Sequence, residues 1–467
     1  MAEHDAKLPG TITQLVRAIL QAERASDRAI EQTKLLLLDT IGCGVAGAKE
    51  PAAAAVLEAV SAGEKSGACP VIGTDKRFGA LGAVLANGAF VRVLDLNDYI
   101  IGENNGEPDS GGHPSDNIPV ALAIGTERKR SGRDVLNATV VGYELYARLQ
   151  RSMDRGGTWD GVTASGFAAP AMAGLLMGLD EHQLANALAL GAARAVTPSI
   201  VRGGDISAAK SIANALVAQA GVQAALLAER GVTGPLAVLD DARGLRDVYA
   251  RRDKTYLVTP FTGEGEILRA HVKTYPCINT AQSAIAAALQ LRPLVKGRTL
   301  SRIEVTMADY RVVKRHQEDD ARNQPKSREA ADHSFPFLIA VAMIDGALGI
   351  AQFDGERWQD ENVNQLMAKI VMRRDKNWNT RAPGSYPCSI RAVDDAGHMF
   401  EAEVPYPPGF SRGGLDASAV LAKFHAVTET ILKSGARERI VNAVMEFDSA
   451  QSTDALNAAL GTQGKSK

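Results

Sequence analysis

Cysteine is scarce in this chain. Four residues in 467, Cys43, Cys69, Cys277 and Cys388, lie far apart with no C-x-x-C pair. That spacing excludes a disulfide framework and a cysteine zinc site, and points to reduced thiols in a cytoplasmic protein. Aromatic residues make up only 5% of the chain, too few for an aromatic-rich sheet protein, whereas 44 glycines favour closely packed helices with small residues. A surplus of charge is missing as well. The net charge of -2 offers no basic face for nucleic acid or for a membrane surface. Residues 35–48 are apolar, but they are too few to span a bilayer and contain Asp39. The opening residues lack the basic-then-apolar layout of a secretory leader. No G-x-x-x-x-G-K-[ST] or G-x-S-x-G motif occurs, and no convincing G-x-G-x-x-G follows a strand. Nucleotide binding and serine-hydrolase chemistry are therefore not expected. Internal repeats and low-complexity tracts are also missing.

What is present is an ordinary globular composition, 45% hydrophobic and 23% charged. The length favours two domains over one. From about residue 12 to about residue 248 one helical pattern follows another. Leu35, Leu38, Ile41 and Val45 recur at helical spacing, and residues 134–151 and 164–179 repeat the theme, with Gly178 and Gly231 near helix ends. The character changes near Thr255. Residues 302–307 alternate as a strand, and residues 389–393 and 399–404 flank an Asp-Asp-Ala-Gly turn that predicts a hairpin. Residues 335–353 read as one long apolar helix, and alanine-rich helix returns from Asp416 onward. The expectation is a mostly α fold: a large all-helical domain formed by both chain ends (1–264 and 406–467) and a smaller inserted α+β lid domain (265–405). The cleft between them is the expected ligand site.

The richest stretch is residues 95–117. Asp95-Leu96-Asn97-Asp98 is followed by a polar glycine-rich loop and then by Gly112-His113-Pro114-Ser115-Asp116-Asn117. Apolar helical runs precede and follow it, so ionisable groups are concentrated on a loop held by buried elements. His113 comes just before a helix that Ser115 or Asp116 can cap, with Pro119 in its first turn. A helix N-terminus disfavours an imidazolium, which leaves His113 either a neutral base or a histidine satisfied by backbone. Asp95 and Asp98 are read as metal ligands or as helix-terminating residues around Asn97. Ser207 can cap a helix over 208–230, which places Lys210 in its first turn, where a cation is unfavourable unless an anion binds. Lys273 precedes a helix over 281–291 that Asn279 or Thr280 can cap, and His333 precedes the helix that begins at Phe335. Four basic groups near helix starts point to a pocket for a substrate with several carboxylates. Arg202-Gly203-Gly204-Asp205 is either a backbone anion nest or a plain loop. Residues 310–315 and the pair Arg373-Arg374 read as solvated charge with no role.

On these residues the sequence resembles the MmgE/PrpD family, which includes 2-methylcitrate dehydratase and cis-aconitate decarboxylase. The match runs in order over nearly the whole chain, from Leu38-Asp39-Thr40-Ile41-Gly42-Cys43-Gly44 through the two clusters at 94–98 and 112–117. It continues with Trp159-Asp160, Lys210, Lys273 with Tyr275-Pro276 and Gln282, then Asp332-His333-Ser334 and Lys423-Phe424. The pattern is nearest the dehydratase branch. The resemblance implies a helical domain with a smaller α+β lid domain, a homodimer, and lyase or isomerase chemistry on di- or tricarboxylates without metal. It also implies that Asp95, His113, Lys210 and Lys273 face the active site.

The sequence departs from the pattern at three places. Thr280 stands where dehydratase relatives tend to have a histidine, Asp160 stands where decarboxylase relatives have one, and the loop 100–111 is longer than usual. The functional expectation is a hydro-lyase that removes water from a citrate-like acid such as 2-methylcitrate. Its expected catalytic set is His113, Asp95, Lys210 and Lys273, with the two lysines as carboxylate clamps, His113 as base or acid and Asp95 orienting it. Asp98, His333, Thr280, Asp160 and Arg202 are expected on the substrate-binding wall, and no metal or cofactor is expected. The only partners expected are a small carboxylate and a second copy of the chain, with no nucleic acid and no membrane. A decarboxylase or epimerase acting on an aconitate-like acid remains open beside this expectation, as does a non-catalytic carboxylate-binding protein.

Overall fold

Runs with apolar residues at helical spacing become helices whose apolar stripes meet one another. The computed structural model describes residues 10–104, 106–154 and 158–461. Helices Asp27–Gly47, Ala80–Arg92, Ile118–Glu127, Gly132–Ser152, Ser165–Met177, Glu181–Arg194 and Ala209–Glu229 carry most of the first core. Their starts follow local chemistry. Ser26 and Ser131 accept from Ala29 N (3.2 Å) and Asp134 N (3.1 Å), and Asp180 and Gln183 form a reciprocal capping box. The Ala209–Glu229 helix is long and apolar enough to cross a membrane, but 61% of its apolar window is buried inside the fold.

The last helices of the chain return to this first core. Val420 and Phe424 of Ala417–Thr428, Ile440 and Val444 of Ser434–Met445, and Leu456 all join it. Lys423 pairs with the buried Asp39 at 2.6 Å and donates to the carbonyl of Leu96 at 2.7 Å, which pins the loop that follows the Ala80–Arg92 helix.

A second core runs from Tyr275 to Val404. Ile267, Ala270 and Val272 still pack in the first core, so the segment 265–272 does not belong with the sheet that follows. The sheet is four-stranded. Leu300–Ala308 lies in its middle, parallel to Ile370–Asp375 on one side and antiparallel to Cys388–Asp394 on the other, and Met399–Val404 completes the expected hairpin. Helices Gln282–Leu291 and Phe335–Asp345 pack with it in the second core. The long helix expected over 335–353 stops at Asp345, because Gly346 takes a left-handed conformation (φ 75°) that closes the helix. Arg373 and Arg374 are strand residues. They sit in the edge strand and pair with Glu304 (2.7 Å) and Glu318 (2.9 Å), the kind of charged edge that discourages further strand pairing.

The polar segment after Asp98 is not a loop. Ile100–Asn104 pairs antiparallel with Glu107–Gly112, and Tyr386 of the second core donates to the carbonyl of Asp109 at 3.1 Å. This hairpin carries the chain from Asp98 back to His113 and ties both to the second core.

Candidate active site

Asp95 gathers the charges where the two cores meet. The Ala80–Arg92 helix ends just before it, and its backbone then turns into the left-handed region (φ 50°), a conformation few residues other than glycine accept. This turn aims a carboxylate that is only 1% exposed at three cations. Arg92 reaches Oδ1 at 2.6 Å, Lys210 reaches Oδ2 at 3.1 Å, and Lys273 contacts Oδ1 closely while donating to the Asp95 carbonyl at 2.9 Å. Burial alone would raise the pKa of Asp95, but Arg92, Lys210 and Lys273 hold it well below the usual carboxylate range. The same burial pushes Lys273 down to about 8, against the pull of Asp95.

Lys210 has a second partner. Its ammonium donates to both oxygens of Asp332, at 2.8 and 2.9 Å, and lies 3.3 Å from His333 Nδ1. Ligand-type atoms of Asp95, Asp332 and His333 lie within 4.8 Å of one another, the spacing of a small metal site. The ammonium of Lys210 already bonds both carboxylates of that cluster, so its charge is met by lysine. His333 also contacts Asp332 closely through Nδ1, and its Nε2 lies 3.8 Å from Asp95 Oδ2. Burial and then Lys210 push His333 down to about 3, which keeps it neutral.

His113 ends the hairpin. Its Nδ1 lies 2.5 Å from the backbone carbonyl of Asp98, and since a carbonyl can only accept, Nδ1 carries the proton. The lone pair therefore sits on Nε2, 3.8 Å from Asp95 Oδ1. Burial, Arg92 and Lys273 lower the pKa of His113 well below 6.5, leaving a neutral ring. Neutrality matches the sequence expectation, but its causes are burial and two cations. Asn97 locks the geometry by donating to Ser115 Oγ and Asp116 Oδ1, both at 2.8 Å. Ser115 and Asp116 are thus acceptors within the loop and do not cap the following helix. Gly112 is required at its position, since it adopts φ 120° and a Cβ there would collide with the hydroxyl of Tyr146.

These groups open onto a cavity of about 350 Å³, within the roughly 300–1,000 Å³ of small-molecule sites. Asp95, His113, Lys273, Arg92 and Asp116 line it together with Arg315, His316, Asp319, Arg322 and His333 of the second core. Asp160 and Arg202 line it too, with Arg202 Nε on Asp160 Oδ2 at 2.6 Å. Arg322 donates to the Arg202 carbonyl at 3.2 Å and pairs with Asp319 at 2.9 Å, so a chain of charges links the two cores. Burial lifts Asp116 to about 6.

Several expected roles change. Lys210 is not on the cavity wall; it is completely buried behind Asp95, and its helix starts without the Ser207 side-chain cap. Neither lysine is an uncommitted carboxylate clamp, because the negative charge of Asp95 and Asp332 already meets them. Lys273 lies well before the start of Gln282–Leu291, so it is not a helix N-terminal group. Asp98 does not line the cavity. It is wholly buried, accepting from Tyr143 Oη (2.9 Å) and Ser115 N (3.3 Å), and burial raises it to about 7. Its carbonyl, not the carboxylate of Asp95, orients His113. Thr280 is likewise off the wall, and neither it nor Asn279 caps the next helix.

Sequence reasoning passed over Arg92, Asp116, Arg315, His316, Asp319 and Arg322. For Asp319 and Arg322 a local signal existed, because an aspartate that caps a short helix pairs with an arginine three residues on. Arg92 and Asp116 carried none beyond their proximity in sequence to Asp95 and His113.

Residues 12–257 match the family model of the MmgE/PrpD N-terminal domain, and residues 275–448 match that of the MmgE/PrpD C-terminal domain. A cis-aconitate decarboxylase-like protein of Aspergillus oryzae is 25% identical over 97% of this chain and 96% of its own length. The 2-methylcitrate dehydratase of Salmonella typhimurium is 26% identical over 87% of both chains. The cis-aconitate decarboxylase of Aspergillus terreus is 24% identical over 90% of this chain and 89% of its own. By these matches over almost its whole length, the chain belongs to the MmgE/PrpD family.

Proposed function

We propose that the protein is a hydro-lyase that removes water from a citrate-like di- or tricarboxylate such as 2-methylcitrate, by acid–base catalysis that needs no metal. The observation that carries this reading is His113: a neutral imidazole on a cavity wall, its side chain 14% exposed, with Nδ1 donating to the Asp98 carbonyl and the lone pair on Nε2. A base so prepared takes a proton α to a carboxylate. Charge that builds on that carboxylate then lies beside Arg92 and Lys273, which share Asp95, with Asp116 a further partner of Arg92 at 3.7 Å. Arg202 and Arg322, which also line the cavity, suit the remaining carboxylates, because guanidinium groups bind them in a fixed fork. Relatives named 2-methylcitrate dehydratase and cis-aconitate decarboxylase both begin from small polycarboxylates, and both support this class of substrate.

The test is incubation with 2-methylcitrate, citrate and cis-aconitate, followed by proton NMR. Alkene formation supports the hydro-lyase, whereas CO₂ release identifies a decarboxylase. Deuterium exchange without net change identifies an epimerase, and saturable binding with no conversion identifies a carboxylate-binding protein.

We further infer a homodimer. The Ala209–Glu229 helix and the turn Ser199–Arg202 beside it expose Leu216 (48%) and Ile200 (71%), an apolar face that a second copy would cover. Light scattering at twice the chain mass supports the dimer, and a monomer at micromolar concentration refutes it.

A further inference from the structure

The side chain of Thr280 reaches a histidine. Thr280 Oγ1 lies 3.1 Å from His316 Nδ1, with both residues buried. His316, unlike Thr280, lines the cavity. It comes from the Arg311–Gln317 helix of the second core and lines the same cavity as His113. An elimination needs a proton donor separate from the base. The ionisable groups that the second core brings to the cavity are Arg315, His316, Asp319, Arg322 and His333. Arginines do not give up protons near neutral pH. Asp319 is tied to Arg322 at 2.9 Å, and His333 is held neutral between Asp332 and Lys210. His316 is the remaining histidine among them, and an imidazolium can give up a proton from either ring nitrogen.

We infer that His316 is the proton donor to the departing hydroxyl and that Thr280 is its positioning residue. This inference rests on the hydro-lyase reading above. In the step, His113 Nε2 reversibly takes the α-proton, the electron pair of that C–H bond passes into the adjacent carboxylate, and it then returns to form the new C=C bond. The C–O bond breaks, and the hydroxyl leaves as water with the proton from His316 Nε2. His316 goes from imidazolium to neutral imidazole and keeps Nδ1–H on Thr280 Oγ1. His113 becomes imidazolium, and exchange with solvent restores both rings. With Nδ1 turned to Thr280, Nε2 is the nitrogen on the far side of the ring, which gives the hydroxyl contact its function.

The experiment follows two rates in D₂O on whichever citrate-like acid the wild type converts: α-deuterium exchange and alkene formation. His316→Gln is expected to slow alkene formation about 100-fold or more while α-exchange stays within about threefold, as for loss of a general acid alone. Thr280→Val is expected to slow alkene formation about tenfold, with recovery in Thr280→Ser, which restores the hydroxyl. Thermal unfolding checks that each variant folds, and His316→Asn replaces His316→Gln if it does not. Alkene formation that survives in both His316 variants overturns the inference alone. So does an equal loss of both rates while tricarballylate, an unreactive tricarboxylate, binds as it does to wild type. A wild type that binds tricarballylate but converts no acid overturns the hydro-lyase reading, and the donor role falls with it.

Discussion

Lys210, on a helix of the first core, donates to both carboxylate oxygens of Asp332 in the second core, at 2.8 and 2.9 Å, with both side chains fully buried. The same ammonium lies 3.1 Å from Asp95. One lysine thus neutralises acids from both cores behind the cavity wall, and its charge holds the two cores in register there.

Removing that charge leaves two carboxylates buried beside each other. Lys210→Met is expected to destabilise the fold by about 3–5 kcal/mol, the usual cost of breaking a buried ion pair from one side. Asp332→Asn is expected to cost less, because Lys210 keeps Asp95 as a partner. Denaturant unfolding of both single variants and the double variant measures this, and the pair is expected to be strongly non-additive. Additive losses below about 1 kcal/mol would place the pair among ordinary exposed salt bridges.

His113→Gln keeps a side chain that can donate to the Asp98 carbonyl but has no basic nitrogen. Turnover is expected to fall about 10²–10⁴-fold with the melting temperature little changed. Because burial, Arg92 and Lys273 hold the pKa of His113 well below 6.5, the base stays unprotonated as pH falls. The acid limb of kcat/KM is therefore expected below pH 6.5, and a limb above that value would contradict the assignment.

Asp98 gives a stability signal independent of activity. Its folded pKa, raised by burial to about 7 from 3.8, means that the folded protein keeps a proton the unfolded chain has released. Stability therefore falls as pH rises between these two values and is level above the higher one. Asp98→Asn removes this term. The variant's stability relative to wild type is expected to grow by up to ~1.4 kcal/mol per pH unit from about pH 4 to about pH 7, then to flatten. Thermal or denaturant unfolding across pH checks it, and an advantage that shrinks with rising pH would be the contrary result.

Arg202 and Arg322 are assigned to substrate carboxylates. Arg202→Gln is expected to raise KM about tenfold or more and to change kcat less, as for loss of one charged hydrogen bond. A fall in kcat at constant KM would move Arg202 from binding into the chemical step.

Much of the helical pattern was legible in the sequence because apolar spacing is a local signal, as with Leu35, Leu38, Ile41 and Val45 in Asp27–Gly47, whereas the caps expected at Ser115 or Asp116, at Ser207 and at Asn279 or Thr280 did not form. The clusters at 95–98 and 113–117 were legible because they concentrate ionisable residues between apolar runs. The partners of those residues were not, since Asp95 meets Lys210 and Lys273 only through tertiary packing. The hairpin over 100–112 was hidden by its glycines and by Pro108, which weaken any strand signal. Arg315 was read as solvated charge and His316 was given no role because their helix is short, and only the packing of the second core against the first brings them to the cavity.

The central claim is that one cavity between the two cores binds a polycarboxylate with its reacting carbon at His113. A crystal structure with tricarballylate tests it most directly. The account predicts carboxylates on Arg202 and Arg322, with the central carbon chain about 3–3.5 Å from His113 Nε2. Tricarballylate bound elsewhere, or bound in this cavity with its carbons turned away from His113, would contradict it.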